Sequence, residues 1–283
     1  MEFDMNRTWT QAVALVGANF QLLAVIAGIF LLLPSALFYV AMPDLLASLE
    51  QTQDPDLLYS ILAESMGPLI GYGLLAMLAQ IIGYLGMIAL MGEDRPTVGE
   101  ALKRALSKTP SAIGATLLLV IVYILVAVVL SLVLGLVIAG LASLAGDGLA
   151  AVTTFLGAIA TLIVIIYVVT RFTLTMPAIV LEGLANPVKA MTRSWELTNR
   201  HALKIFVFYA LLIISYLVIS LLLGSVFGLV AVAFGGGTGS SLVLGLANGL
   251  IGAAVAMVFS GILVSMYQQL SGVSSRRIED TFS

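Results

Sequence analysis

The chain has 283 residues, of which 61% are hydrophobic and only 10% charged, with a net charge of −3 and no cysteine. Soluble domains run at roughly 45–50% apolar and about 25% charged, so these few charges cannot cover a water-facing surface of this size. The missing cysteines exclude disulfides, thiolate metal sites and cysteine nucleophiles, and leave the redox compartment open.

Residues 1–18 place Trp9, Val13 and Val16, with Phe20 just beyond, at spacings of four and three, the mark of a one-sided helix. Glu2 and Asp4 stand where a secretory signal would carry basic residues, and no A-x-A site follows, so the first apolar run is expected to be retained. Met1 is followed by Glu2, which fits no lipidation motif. Six apolar runs lie near residues 20–41, 69–91, 112–141, 149–170, 203–234 and 242–267. Each reaches the roughly 20 helical residues that a hydrocarbon core about 30 Å thick demands. The third and fifth are longer, which predicts tilt or projection beyond the bilayer. A break of the third near Gly135 or Gly140 is rejected, because an extra crossing would mix the loop charges.

Those charges are segregated. All twelve Lys and Arg residues fall in the termini and the even-numbered connections or, for Lys204, at the very start of the fifth run beside the fourth connection. The odd-numbered connections hold only Asp44, Glu50, Asp54, Asp56, Glu64 and Asp147. Basic loops stay cytoplasmic, so six spans with both termini cytoplasmic are expected.

The connections have structure of their own. Residues 43–68 carry apolar residues on either side of Asp54-Pro55 and are expected as two short helices on the outer membrane surface. Their scattered carboxylates lack a calcium-loop spacing. Residues 97–108 set Val98, Leu102 and Leu106 against Glu100, Lys103, Arg104 and Lys108, and residues 187–200 set Val188, Met191 and Trp195 against Lys189, Arg193, Glu196 and Arg200. Pro96 and Pro187 stand where proline starts a helix. Each amphipathic stretch precedes a span on the basic side, as an interfacial helix over anionic headgroups would. A shift of 89 residues lays Ala101, Arg104, Leu132 and Gly135 over Ala190, Arg193, Leu221 and Gly224, which suggests repeated units. The expected organisation is one six-helix, all-α membrane domain over residues 1–270 and a short disordered tail, 271–283, holding Arg276 and Arg277.

Candidate chemistry is sparse. Polar groups within spans are costly and often functional, but no ionisable residue sits at a span centre. Gln80 and Asn248 are the notable intramembrane amides, expected as interhelical hydrogen-bonding groups or as substrate contacts. Tyr123, Ser131, Ser215, Tyr216 and Ser220 share the structural expectation. Gly224 with Gly228, and Gly245 with Gly249, have the spacing of close helix approach. The run Gly235-Gly236-Gly237-Thr238-Gly239 lacks the lysine of a phosphate-binding loop and is expected as a flexible turn. Glu182 is expected in an ion pair, with ligand contact as the second option. His201 lacks a nucleophile or metal-ligand partner at a useful spacing. Lys103, Arg104, Arg171, Lys189, Arg193, Arg200 and Lys204 are candidate lipid-headgroup contacts, and Gln80, Glu182, Trp195 and Asn248 candidate structural or ligand-binding groups. No catalytic, metal or cofactor residue is assigned, and nucleic-acid binding is not expected of a belt that also carries acids.

Residues 171–199, R-F-T-L-T-M-P-A-I-V-L-E-G-L-A-N-P-V-K-A-M-T-R-S-W-E-L-T-N, resemble the most distinctive stretch of a bacterial family, the membrane domain of glycerophosphoryl diester phosphodiesterase. The positions that carry the resemblance are Arg171, Pro177, Ala178, Glu182, Arg193, Ser194, Trp195, Leu197 and Thr198. It is good over residues 160–235 and only architectural elsewhere. It implies residence in the inner membrane. The phosphodiesterase reaction named there resembles the work of a separate soluble barrel, for which one histidine is too few, so a membrane part without the enzyme is expected. Two roles follow. The first is a non-enzymatic protein that organises or anchors at the membrane through anionic lipid; the alternative is a permease or flippase for a small or lipidic substrate.

Overall fold

The computed structural model describes residues 3–42, 54–94, 96–145, 147–235 and 237–272, together with Leu45, Ser48 and Thr52. The described residues form helices and no strand. In chain order these are α1 (Met5–Ala18), α2 (Phe20–Ala27), a π-helical segment (Gly28–Leu32), α3 (Leu33–Ala41), α4 (Pro55–Leu90), α5 (Val98–Ala145), α6 (Asp147–Phe172), α7 (Thr175–Leu181), α8 (Pro187–Thr198), a 3-10 turn (Asn199–His201), α9 (Ala202–Ala233) and α10 (Gly237–Ser271). Among the described residues six helical runs are long and apolar enough to cross a bilayer: Phe20–Tyr39, Asp56–Leu90, Val98–Ser143, Ala151–Leu181, Pro187–Ala233 and Gly239–Ser271. The chain is an all-α, multi-pass membrane protein.

The spans run past the limits of their apolar stretches. α5 is a single 48-residue helix, about 72 Å long at 1.5 Å per residue, against a hydrocarbon core of about 30 Å. It passes through Gly135 and Gly140 without interruption, and residues 97–108 are its first turns rather than a separate interfacial helix. Pro96 does not start it. Thr97 does, through a reciprocal capping box: the Thr97 N–H donates to Glu100 Oε2 at 2.9 Å, and the Glu100 N–H to Thr97 Oγ1 at 3.4 Å. Likewise residues 55–68 are not a surface helix. Asp54 caps α4 by accepting the Asp56 N–H at 3.0 Å, and the helix continues through Pro68 for 36 residues. The first of the two expected surface helices falls mostly outside the described residues, as do Arg95, Arg276, Arg277 and the tail beyond Gly272.

The chain divides into two compact units. One comprises Asn6–Thr109 and Leu211–Ser265. Here the π-helical segment precedes Pro34, whose ring lacks an N–H and would crowd the carbonyl four residues back; the widened turn removes that conflict. Neighbouring helices approach this segment at glycine. A Cβ placed on Gly83 would lie 2.5 Å from Phe30 Cβ, and one on Gly249 would lie 3.0 Å from the Leu32 carbonyl oxygen. Gly224 and Gly228 have nothing within 4 Å, so their identical spacing serves no helix contact here. The other unit comprises Met1–Met5, Pro110–Ala210 and Met266–Ser283. Phe3 packs edge-on against Phe208, and the Asp4 N–H donates to Gln269 Oε1 at 3.2 Å.

On α1, α5 and α8 a stripe of small residues is buried while large apolar residues on the same helices face outward. Thr8 and Ala12 on α1, Ala101 and Ala105 on α5, and Ala190, Ser194 and Thr198 on α8 are all buried. Trp9, Val13, Leu106, Val188 and Trp195 are exposed, as are Leu125, Leu132 and Leu136 along the span of α5. Water would make so large an apolar surface an aggregation site. Lipid solvates it, and helix association then falls to small residues that let backbones meet.

Candidate functional site

The Arg171–Thr198 motif builds a tight joint around the end of α6. The α6 helix stops at Phe172, and α8 packs its Ala190-Ser194-Thr198 face against that end. Ser194 Oγ donates to the Arg171 carbonyl at 2.9 Å and accepts the Leu174 N–H at 3.0 Å. Thr198 Oγ1 donates to the Ser194 carbonyl at 2.8 Å and reaches the Arg171 carbonyl at 3.2 Å. Spacing four places both hydroxyls on one face of α8, where they satisfy backbone groups that a helix end leaves open. The loop returning from α7 turns at Gly183, whose φ of 73° suits glycine, and Asn186 Oδ1 caps α8 by accepting from the Val188 and Lys189 N–H groups. Ser111 Oγ donates to the Ala185 carbonyl at 2.7 Å and fixes that loop against α5.

Two arginines diverge at this joint. Arg193 Nε donates to Glu182 Oε1 at 2.8 Å, and Arg193 Nη1 lies 3.9 Å from Glu196 Oε2. Glu182 Oε1 also accepts from the Tyr267 hydroxyl. Arg171, in contrast, is only 1% exposed. Its guanidinium carbon stands 3.9 Å from the centroid of the Trp195 ring, a cation–π contact, and Nη2 donates to Asn199 Oδ1 at 2.9 Å. Nε and Nη1 find no hydrogen-bond partner among the described residues, and no ion pair reaches this side chain there. Arg171 therefore does not present itself to headgroups as a surface cation; α8 closes over it. Trp195 stacks on Phe172 as well, with ring centroids 5.4 Å apart.

Beside this joint lies a cavity of about 400 Å³, lined among others by Arg193, Glu196, Asn199, Arg200, His201 and Ser271. Asn199 and Ser271 carry no sequence motif that would single them out. Only the 3-10 turn after α8 and the end of α10 at Gly272 (φ 76°) bring them to it.

The remaining candidates sit elsewhere. Lys189, Arg200 and Lys204 are exposed on the α8–α9 stretch. Lys103 is exposed on α5, where Arg104 pairs with Asp94 at 3.1 Å. Asn248 donates to the Tyr39 hydroxyl at 3.1 Å and to the Leu244 carbonyl at 2.9 Å, while Gln80 is exposed on α4. Ser131 and Ser215 return their hydroxyls to their own helices, at the Val128 and Leu211 carbonyls, rather than bridging to a neighbour. Gly235 forms a turn with φ 73°, but α10 already begins at Gly237, so the glycine run is only partly a turn. Among the described residues no three His, Asp or Glu side chains cluster as metal ligands would.

No curated protein and no solved structure matches the chain. Residues 149–275, most of the stretch from α6 through α10, match the family model described as the membrane domain of glycerophosphoryl diester phosphodiesterase, and over those residues the chain is similar to that family.

Proposed function

We propose that this chain is a non-enzymatic protein of a bacterial inner membrane, with both termini cytoplasmic, that organises or anchors at the membrane through anionic lipid. The observation that carries this is α8, which is pinned to the end of α6 by its small face. Its apolar Val188 and Trp195 are left exposed beside the exposed cations Lys189, Arg200 and Lys204. Such a face suits the acyl boundary, with cations at the headgroup level. The alternative, a permease or flippase, draws on the possible repeats and the intramembrane amides Gln80 and Asn248; the Asn248 amide donates to the Tyr39 hydroxyl, which favours packing.

Two experiments test this. Each Lys near an anionic surface contributes about 1 kcal/mol, so the combined variant Lys103→Glu, Lys189→Glu and Lys204→Glu should lower anionic-lipid enrichment at least about tenfold. Mass spectrometry of co-purified lipid measures it, and an unchanged lipid profile would refute the anchoring role. For orientation, the cysteine-free chain accepts single cysteines cleanly. Asp56→Cys should label from outside intact cells and Lys189→Cys only after permeabilisation; labelling of both from one side rejects the proposed topology.

A further inference from the structure

We propose that the cavity beside the α6–α8 joint is a discrete binding site for one phosphate group, specified by Asn199 and Arg200. This rests on the anionic-lipid role above and sharpens it from diffuse attraction to a saturable site.

Charge comes first. Three guanidinium groups, Arg171, Arg193 and Arg200, face two carboxylates, Glu182 and Glu196, and both carboxylates are taken by Arg193. Arg200 makes no ion pair among the described residues, and neither does the buried Arg171. A buried cation without a counter-charge is strongly disfavoured, so an anion nearby relieves it. The partial negative charge at the end of α10, about half a unit, is too small to do so.

Polarity comes next. A guanidinium has donors and no acceptor, so Asn199 must turn Oδ1 toward Arg171. Its Nδ2 donors then point away from Arg171, on a side chain that lines the cavity. Ser271 lines the cavity beside them, with its own hydroxyl buried behind the wall. The wall therefore offers an amide donor and the Arg200 guanidinium. A phosphate, rich in acceptors and charged, satisfies both. A volume of about 400 Å³ lies within the roughly 300–1,000 Å³ of small-ligand sites. The phosphate can belong to a lipid headgroup or to a free anion, which share this chemistry.

The test uses the full chain in phosphatidylcholine nanodiscs, with two probes: inorganic phosphate by calorimetry, and phosphatidylglycerol doped into the discs, counted by native mass spectrometry. Saturable binding of phosphate alone identifies a free anion; saturable binding of the lipid only identifies a headgroup; either supports the site. Asn199→Asp keeps an oxygen on Arg171 but turns a carboxylate toward the cavity, and should weaken binding about tenfold or more without lowering thermal stability. Arg200→Gln, at an exposed position, should weaken it similarly. No saturable binding to either probe, or wild-type binding in both variants, overturns the proposal. Bulk lipid enrichment in the lysine variant is a separate measurement, so the anchoring role and this site fail independently.

Discussion

The stretch leading into α5 and the stretch leading into α9 are built on one plan and finished differently. At an offset of 89 residues Ala101, Ala105 and Thr109 on α5 correspond to Ala190, Ser194 and Thr198 on α8, and all six are buried. The same offset reaches back to Ala12 on α1, also fully buried. Arg104 corresponds to Arg193, and each finds a carboxylate about ten residues upstream, Asp94 and Glu182. Small residues in a stripe thus set helix contact in both places. Only the second stretch adds hydroxyls that reach another helix end, a buried arginine and a cavity. It is also the stretch inside the family match. Polar elaboration, not the shared stripe, separates the two.

The largest difference is expected at Ser194. Its hydroxyl serves the Leu174 N–H and the Arg171 carbonyl at once, and Leu174 is fully buried. Ser194→Ala strands that N–H, at a cost of about 1–3 kcal/mol. Thermal unfolding in detergent micelles should show a clear drop, and a midpoint equal to that of the wild type would mean the two stretches differ only in decoration. The carboxylates come next. Glu182→Gln removes the charge that Arg193 holds, and with the pair about a third exposed, screening limits the loss to about 1 kcal/mol. Asp94→Asn breaks a pair whose acid is 72% exposed and should leave the unfolding midpoint unchanged. Equal effects would erase the contrast.

How much of this could be seen in the residues differs between scaffold and joint. The spans were legible because apolar runs of sufficient length have one stable state in lipid. Their ends were not. Pro68 and Pro110 look like breaks, yet α4 and α5 carry on through both. The exposed stripe of Val188 and Trp195 was legible as a lipid-facing surface; the buried one opposite it, Ala190-Ser194-Thr198, was not, because alanine and serine carry little hydropathy signal. Gly224/Gly228 and Gly245/Gly249 are indistinguishable by spacing, and only the presence of a neighbour such as Tyr39 decides which pair is a contact. Arg171 read as one more basic residue at the end of a span. Its burial depends on Trp195 and Asn199, more than twenty residues away and positioned by the joint itself.

The finest separation lies at the last residue of the stripe. Thr109 and Thr198 both donate to the carbonyl four residues back, at 2.9 Å and 2.8 Å. Thr198 alone reaches outside its helix, to the Arg171 carbonyl at 3.2 Å. Valine has the same shape, so Thr→Val removes the hydroxyl with little change in volume. At Thr109 the carbonyl keeps its backbone bond and the effect should be near zero. At Thr198 the end of α6 loses a long second bond, while Ser194 still holds the same carbonyl, so the loss should be about 0.5–1 kcal/mol. In the Ser194→Ala background the Arg171 carbonyl has no other hydroxyl, and Thr198→Val should then cost more than it does alone. A double-mutant cycle measures that excess directly. Strict additivity would show that the two hydroxyls do not share the carbonyl, and that the polar joint acts as separate contacts.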